Sequence, residues 1–373
     1  MAELFFFLLL LCMVYSYTLF PALLWLMKHF VKHPWKRVPG AAKVSIIISV
    51  YNEEKVIQAK IENALALDYP PELLEVVVSS DGSTDSTNDI VGRFADSRVV
   101  LKRFDRLGKT ACLNRVVPQV GGDVVLFTDA NSMFPKDLLT HLVANFSDPN
   151  VGLVTGWTRY IAPGGGEEVT GLYAKLERYT KYWECLIDSC VGADGAVFAI
   201  RKALYQPLGA DDINDFVIPL NVIKQKKRVV LDPAVFCREE AVDSDQKAYR
   251  RQVRITTRTL WAIRRHLFML NLARHGYFAF FLWSHKVLRL AAPLFFVLAL
   301  LMNIALVGHS WFFNMTFAGF MLFLFSGLIS LAGLTKNKVA SICKFFLITF
   351  TAQIAGWVRM AAGIRDTTWT PQR

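Results

Sequence analysis

The chain has 373 residues, 53% of them hydrophobic, and a formal net charge of +11. This hydrophobic content is too high for a soluble enzyme of that length, so we expect membrane-spanning segments beside a domain with a substantial core. The six cysteines show neither CxxC spacing nor regular pairing, which argues against a zinc site and a disulfide framework.

The first predicted element is a membrane anchor. Residues 4–27 form a stretch without charged side chains that is long enough for one transmembrane helix. Four basic residues follow at positions 28, 32, 36 and 37. A cleaved signal peptide is the alternative, but it requires positive charge before a shorter apolar core. By the positive-inside rule, the bulk of the chain is expected on the cytoplasmic side.

Segments typical of strands and of helices alternate after the anchor, which predicts a mostly parallel sheet covered by helices on both faces. Four strands are predicted, at residues 44–50, 74–78, 99–102 and 123–127. Each is followed by a polar cluster, and the carboxyl ends of such strands form the ligand-binding edge of an open α/β sheet.

The polar turn after the fourth strand, Thr128-Asp129-Ala130-Asn131, is the central motif. Its carboxylate and amide oxygens suit a hard divalent cation that bridges the protein to a diphosphate. The same residues also fit a simple turn, or a cap for a following helix opened by Pro135. The motif alone does not separate these interpretations.

Two common nucleotide-binding classes are disfavoured. The polar clusters lack the GxGxxG signature of dinucleotide-binding folds, and Gly108-Lys109-Thr110 lacks the upstream glycine of a P-loop. A dehydrogenase of the Rossmann type and an NTPase are therefore not expected.

Charge is concentrated in the last third of the chain. There is no Asp or Glu between Gln246 and Arg365, and residues 247–274 hold eight Lys and Arg. Since this basic run adjoins apolar segments, anionic lipid headgroups and a phosphorylated substrate fit it better than a nucleic acid does.

The apolar region near the end predicts two or three more spans. Residues 290–335 lack charged side chains and are broken only at residues 308–310, which predicts a hairpin of two spans. Residues 339–358 contain Lys344 and Gln353, so this stretch fits either a span or an interfacial helix. We expect a true span, which would place the tail opposite the catalytic domain, although Arg359 and Arg365 favour the same side.

Several motifs together resemble family 2 glycosyltransferases, which have the GT-A fold, and the membrane arrangement resembles that of bacterial exopolysaccharide enzymes and polysaccharide synthases. The resemblance covers residues 44–265. Its motifs are Tyr51-Asn52-Glu53-Glu54, Ser80-Asp81-Gly82-Ser83-Thr84-Asp85, Gly108-Lys109, Thr128-Asp129-Ala130-Asn131, Gly192-Ala193-Asp194-Gly195-Ala196 and Asn214-Asp215.

The resemblance implies a nucleotide-sugar donor site. Its candidate residues are Glu53, Asp81, Lys109, Asp129 and Arg254. Asp81 would accept from the imino N–H of uracil, although it equally fits an Asx turn. Asp129 would be the metal ligand of a DxD motif whose second position here is Asn131, so the implied Mg or Mn is held by one carboxylate and one amide.

The resemblance also implies a general base and an acceptor side. Asp215 would take the proton of the acceptor hydroxyl, while a helix N-cap at this position and the neighbouring Asp211 and Asp212 are the alternatives. Asp194 and Gly195 would contact the acceptor. Trp183, on a predicted amphipathic helix at Leu172–Ile187, would stack on a sugar or belong to the core.

These observations predict an inverting, metal-dependent membrane glycosyltransferase that uses a nucleotide-sugar, a UDP-sugar by preference, on a lipid-linked or glycan acceptor in surface glycan synthesis. A processive polysaccharide synthase is the runner-up, although only Arg254 matches the QxxRW motif of those enzymes. A non-catalytic membrane scaffold is the alternative from another class, because Asn131 and Asn214 replace acidic residues.

The expected organisation is a membrane anchor with its basic flank at residues 1–38 and a GT-A domain at residues 39–240. Basic interface helices follow at residues 241–288, and a C-terminal transmembrane region with its tail occupies residues 289–373. The protein would be a multi-pass protein of the inner (plasma) membrane with a cytoplasmic catalytic domain.

Overall fold

The computed structural model describes residues 1–162, 168–169, 171–241 and 244–367. Its sheet has seven strands in the order β3-β2-β1-β4-β6-β5-β7. The strands are β1 (Val44–Val50), β2 (Leu74–Asp81), β3 (Val99–Phe104), β4 (Val124–Asp129), β5 (Val151–Ile161), β6 (Phe198–Arg201) and β7 (Arg228–Glu240). Only β6 is antiparallel to its neighbours, which confirms the mostly parallel α/β sheet.

Helices cover this sheet and form the membrane region. They are α1 (Ala2–Val14), α2 (Phe20–Phe30), α3 (Ile57–Leu65), α4 (Thr87–Gly92), α5 (Lys109–Val116), α6 (Leu138–Ala144), α7 (Leu172–Ile187), α8 (Asn214–Lys224), α9 (Asp245–Arg265), α10 (Leu272–Phe281), α11 (Leu288–Leu306), α12 (Trp311–Leu331) and α13 (Lys338–Ala361). A short π-helical segment joins α1 to α2, and another joins α10 to α11.

The centre of the sheet follows directly from its sequence. All seven residues of β1 are buried, as expected for a continuous apolar run in a parallel sheet covered on both faces. Because β1, β2 and β4 are parallel, the polar residues at their carboxyl ends, including Asp81 and Asp129, lie at one edge of the sheet.

Four helical segments of the described chain are long and apolar enough to cross a membrane: Ala2–Phe30, Leu272–Leu306, Trp311–Leu331 and Lys338–Ala361. The break between α11 and α12 falls at residues 307–310, as predicted. Phe6 of α1 is buried with Ala299 of α11 and Phe313 of α12. These contacts pack the anchor against the hairpin at the end remote from the sheet.

Helix α13 packs along α9 over much of its length. In the first third of α13, Lys344 pairs with Asp245 at 3.0 Å. In its last third, Gly356 packs so closely on Thr256 that a Cβ there would lie 2.5 Å from the threonine methyl carbon. Beyond its end, the Trp261 indole donates to the Ile364 carbonyl at 2.9 Å.

The same helix lies across the ends of α11 and α12 nearest the sheet. Gly327, near the end of α12, packs against the Cys343 backbone, and the Trp357 indole donates to the Leu290 carbonyl at the start of α11, at 2.8 Å. These contacts, together with those to α9, hold α13 beside the sheet end of the hairpin, which fits a helix along the membrane surface better than a span.

The side of the tail is therefore a correction. The expected position opposite the catalytic domain is wrong, because Ile364 and Arg365 pack on α9 and Arg365 stacks on Trp261. Residues 368–373 lie outside the described residues.

Candidate active site

A cavity of about 120 Å³ lies at the carboxyl edge of the sheet. It brings together residues distant in sequence, namely Lys109, Asp129, Asp194, Gly195, Asp215, Glu239, Arg251, Arg254 and Arg258. Five of the predicted site residues therefore share one cavity with Asp215: Lys109, Asp129, Asp194, Gly195 and Arg254.

The Asp129 carboxylate lies at the end of β4, where the Lys109 ammonium contacts it at 2.7 Å. Lys109 is the first residue of α5, and Gly108 before it has a φ of 92° that favours glycine. Asp129 does not cap the following helix, because Asp137 is the N-cap of α6. The alternative of a helix cap is therefore wrong for this motif.

Asp81 positions this start of α5. Its buried carboxylate accepts from the Leu107 and Gly108 amides at 2.7 and 3.0 Å and from the Arg106 guanidinium at 2.5 Å. An ionised carboxylate has lone pairs for about four such bonds, so most of its capacity is used within the chain. The uracil contact of Asp81 remains a prediction. The carboxylate bonds to residues 106–108 rather than to the turn after β2, so the Asx-turn alternative is not what the structure shows.

The first two motifs pack against each other. Glu53 is 4% exposed, and its amide donates to Thr87 Oγ1 at 2.8 Å. The Asn52 carboxamide oxygen accepts from the Thr84 amide at 2.8 Å. The loops after β1 and β2 thus form one unit beside the cavity, as expected for two parallel neighbours.

Asp215 lines the same cavity. It belongs to the first turn of α8, whose N-cap is Ile213, so the capping alternative is wrong. Its Oδ1 is buried and has no hydrogen-bond partner among the described residues. Burial raises the pKa of Asp215, while the Lys109 and Lys181 ammonium groups oppose that rise.

The nearby acids Asp211 and Asp212 have a different role. Both pair with the Arg265 guanidinium, Asp211 at 2.9 Å. Arg258 donates to both of their carbonyl oxygens. These contacts hold the segment before α8 against α9. Asp211 and Asp212 are therefore engaged with arginines of α9, unlike the Oδ1 atom of Asp215.

The 192–196 loop shapes the cavity beside Asp215. The Ala193 amide donates to the Asp215 carbonyl at 2.7 Å. The Asp194 carboxylate accepts from the Thr158 amide at 2.8 Å and from its hydroxyl at 3.0 Å. Asp194 therefore lines the cavity while it holds the loop on β5.

The structure does not bring Trp183 to this site, so its predicted sugar-stacking role is not supported. Its ring stacks on Tyr179, with centroids 5.9 Å apart, and the Lys28 ammonium lies 5.2 Å from its centroid. Trp183 is on the face of α7 that packs against α2, which is the core alternative for this residue.

Glu239 is a cavity residue that the sequence analysis missed. It is 8% exposed at the end of β7 and accepts a hydrogen bond from Ser132 Oγ. Burial and the Asp129 carboxylate raise its pKa. Its position could have indicated a site residue, because β7 ends in a polar cluster at the same edge of the sheet as β4.

Lys60 is the second missed residue. It is fully buried on α3, donates to the Ser132 carbonyl and lies over the Phe134 ring. Burial lowers its pKa to about 7, against the pull of the neighbouring Cys237, Glu239 and Asp129. Its position on an otherwise apolar helix face is a signal that sequence reasoning can detect.

Arginines of α9 are spaced three and four residues apart, which places them on one face of the helix. Arg251, Arg254 and Arg258 all line the cavity. Burial and the two neighbouring guanidinium groups lower the pKa of Arg254, while Asp129 opposes that shift. Three cations on one helix face suit a ligand with several negative charges, such as a diphosphate.

The donor set can be tested against a divalent cation. Asp129 and Asn131 offer a carboxylate and an amide oxygen, the ligand type that Mg or Mn prefers. In the part of the chain that the structure describes, no three His, Cys, Asp or Glu side chains converge as a metal cluster. Glu239 lines the same cavity as Asp129 and offers a second carboxylate, so the residues fit a cation that takes its other ligands from a diphosphate.

The sheet and its polar edge have the arrangement of the GT-A fold. The chain carries a family 2 glycosyltransferase domain, because the model of "Glycosyl transferase family 2" matches residues 45–207.

Two curated relatives illustrate the range of this family. A beta-monoglucosyldiacylglycerol synthase of Nostoc sp. is 35% identical over 129 residues, which are 33% of this chain and 28% of the relative. A poly-beta-1,6-N-acetyl-D-glucosamine synthase of Staphylococcus aureus is 25% identical over 215 residues, 55% of this chain and 52% of the relative. The chain thus matches about half the length of these relatives or less.

Among solved structures, the mannosyltransferase PcManGT of Pyrobaculum calidifontis, in complex with GDP-Man and Mn2+, has a TM-score of 0.72. It is 22% identical, and the match covers 96% of this chain and 98% of that one. At this identity the likeness shows the fold alone, and it extends over the membrane helices as well as the sheet.

Proposed function

We propose that the protein is an inverting membrane glycosyltransferase that moves a sugar from a nucleotide-sugar, a UDP-sugar by preference, to a lipid-linked or glycan acceptor in surface glycan synthesis. The catalytic domain faces the cytoplasm and the anchor lies in the inner membrane, as the basic flank after α2 favours. The names of the curated relatives, one a glycolipid synthase and one a polysaccharide synthase, support both kinds of acceptor.

The chemistry is a direct displacement at the anomeric carbon. The acceptor hydroxyl oxygen forms a bond to that carbon as its proton passes to the Asp215 carboxylate, and the bond from the carbon to the diphosphate oxygen breaks on the opposite face. The departing diphosphate leaves with additional negative charge. Lys109, Arg254 and Arg258 line the same cavity and supply positive charge to stabilise it.

Asp129, with Asn131, would hold a divalent cation at the diphosphate. When bound, this cation supplies Lewis-acid neutralisation of the leaving group. Asp129 lies at the end of β4, and Lys109 already holds one of its oxygens. The chain therefore orients the carboxylate before any ligand arrives.

The observation that carries the proposal is the Asp215 carboxylate, whose buried Oδ1 has no hydrogen-bond partner among the described residues. Burial also raises the pKa of this carboxylate. Purified protein in native-type lipids would be supplied with a panel of UDP-sugars, and the products identified by mass spectrometry. Asp215→Asn should lower transfer by at least about two orders of magnitude while UDP binding is retained. Transfer at the wild-type rate would refute this role, and absence of both transfer and UDP-sugar hydrolysis in the wild type would favour the scaffold alternative.

A further inference from the structure

A second cavity, of about 440 Å³, adjoins the active-site cavity. The two share Thr158, Tyr160, Asp194, Arg251 and Ile255 in their walls. The other walls of the second cavity come from β5, β7, α7, α9 and α13. Because α13 lies across the ends of α11 and α12, this cavity leads from the level of the membrane surface to the residues around Asp215.

One buried polar group of this cavity lacks a partner. Gln353 of α13 lines the cavity and is 4% exposed, and its Oε1 is buried without a hydrogen-bond donor among the described residues. A carbonyl oxygen in this state is costly to bury, so its presence indicates a donor that the chain does not provide. A ligand hydroxyl is the simplest group that would supply one.

The charged walls of the cavity favour an anion. Four cations line it, against two acids. The cations are Arg178, Lys181, Lys247 and Arg251, and the acids are Glu177 and Asp194. Both acids already have partners, because Glu177 pairs with His285 and Arg289 of the membrane region and Asp194 accepts from Thr158. Lys181 also lies 3.9 Å from Glu177, so the excess of positive charge comes from Arg178, Lys247 and Arg251.

We propose that this cavity binds a lipid whose headgroup carries one phosphate-type anion and a free hydroxyl. The cations would hold the anion, Gln353 would accept from the hydroxyl, and Phe345 and Tyr173, which also line the cavity, would face the apolar part. Identifying this lipid as the acceptor rests on the proposed function. Binding itself does not depend on it.

The binding test uses the full-length protein in detergent and native mass spectrometry of retained lipid, with no nucleotide-sugar present. The probes are phosphatidylglycerol, which has phosphate and hydroxyls, phosphatidylethanol, which has the phosphate alone, and a diacylglycerol, all with the same acyl chains. We expect retention in that order, with roughly tenfold between the first and the last, as for one charge-assisted contact.

Two variants separate the two contacts. Arg178→Gln should lower the retention of both phospholipids by roughly tenfold, whereas Gln353→Met should abolish only the preference for phosphatidylglycerol over phosphatidylethanol. Lys175→Gln is the matched control, since Lys175 is an exposed basic residue of the same helix. Wild-type UDP binding by each variant verifies its fold.

The outcomes distinguish this inference from the proposed function. Equal retention of the three lipids, displacement by inorganic phosphate alone, or identical retention in all variants would overturn the inference even if the protein transfers sugar. Selective retention that depends on Arg178 and Gln353 would support it even if no transfer to any lipid is detected.

Discussion

The carboxylate of Asp215 occupies the space that a side chain at Gly195 would fill. A Cβ on Gly195 would lie 2.9 Å from Asp215 Oδ2 and 3.5 Å from its carboxyl carbon. Gly195 has no positive φ, so its lack of a side chain matters for this approach and not for backbone conformation. The 192–196 loop and the Asp215 carboxylate therefore form one structural unit.

Gly195→Ala should move this carboxylate and lower kcat/KM by roughly tenfold to a hundredfold, because a misplacement of about 1 Å at a reacting group is that costly. The matched control is Gly92→Ala, since a Cβ there meets no atom within 4 Å. Steady-state transfer and thermal unfolding of both variants would be measured. Wild-type kinetics in Gly195→Ala would contradict the proposed position of the base.

The pH dependence of transfer should report Asp215. A base acts when ionised, so the rate should fall as the pH decreases through the Asp215 pKa, which burial raises and Lys181 helps to hold down. Lys181→Met removes that cation and should move the acid limb of kcat/KM to higher pH.

Lys175→Met provides the control for this shift, because it removes an exposed positive charge from the same helix. Its acid limb should coincide with that of the wild type. An acid limb at the same pH in Lys181→Met and in the wild type would exclude Asp215 as the titrating group.

The cation requirement provides a separate test. Transfer should stop in excess chelator and return with Mg or Mn. Asn131→Asp should lower the metal concentration that gives half-maximal rate, because a carboxylate binds a hard cation more tightly than an amide. Asn150→Asp adds the same charge at an exposed position and should leave that concentration unchanged. Full activity in chelator would remove the metal assignment, and an unchanged constant in Asn131→Asp would remove Asn131 from the site.

Local patterns in the sequence determine much of this fold. The continuous apolar run of β1 and the amphipathic spacing of α7 predict both elements at their observed bounds, Val44–Val50 and Leu172–Ile187. Both signals depend only on neighbouring residues. The side of α7 that faces the cavity is not determined in this way, so the sequence left Trp183 open between sugar stacking and the core, and the structure places it against α2.

Contacts between distant segments explain what sequence reasoning missed. Glu239 reaches Ser132 because a single antiparallel bridge joins Met133 to Arg238. Local sequence patterns do not specify such a bridge between distant segments. Hydropathy likewise cannot distinguish a span from a helix on the membrane surface. For α13 the distinction comes from its packing against α9, where Gly356 contacts Thr256.

The last prediction concerns this position of α13. If it lies along the surface, Thr367 is on the same side as the catalytic domain, because Trp261 and Asp211 hold Ile364 and Arg365 there. In a background without native cysteines, Thr367→Cys should react with an impermeant maleimide only after lysis, as should a catalytic-domain reference, Asn150→Cys. His309→Cys, in the turn between α11 and α12, should react in intact cells. Labelling of Thr367→Cys in intact cells, together with His309→Cys, would show that α13 crosses the membrane.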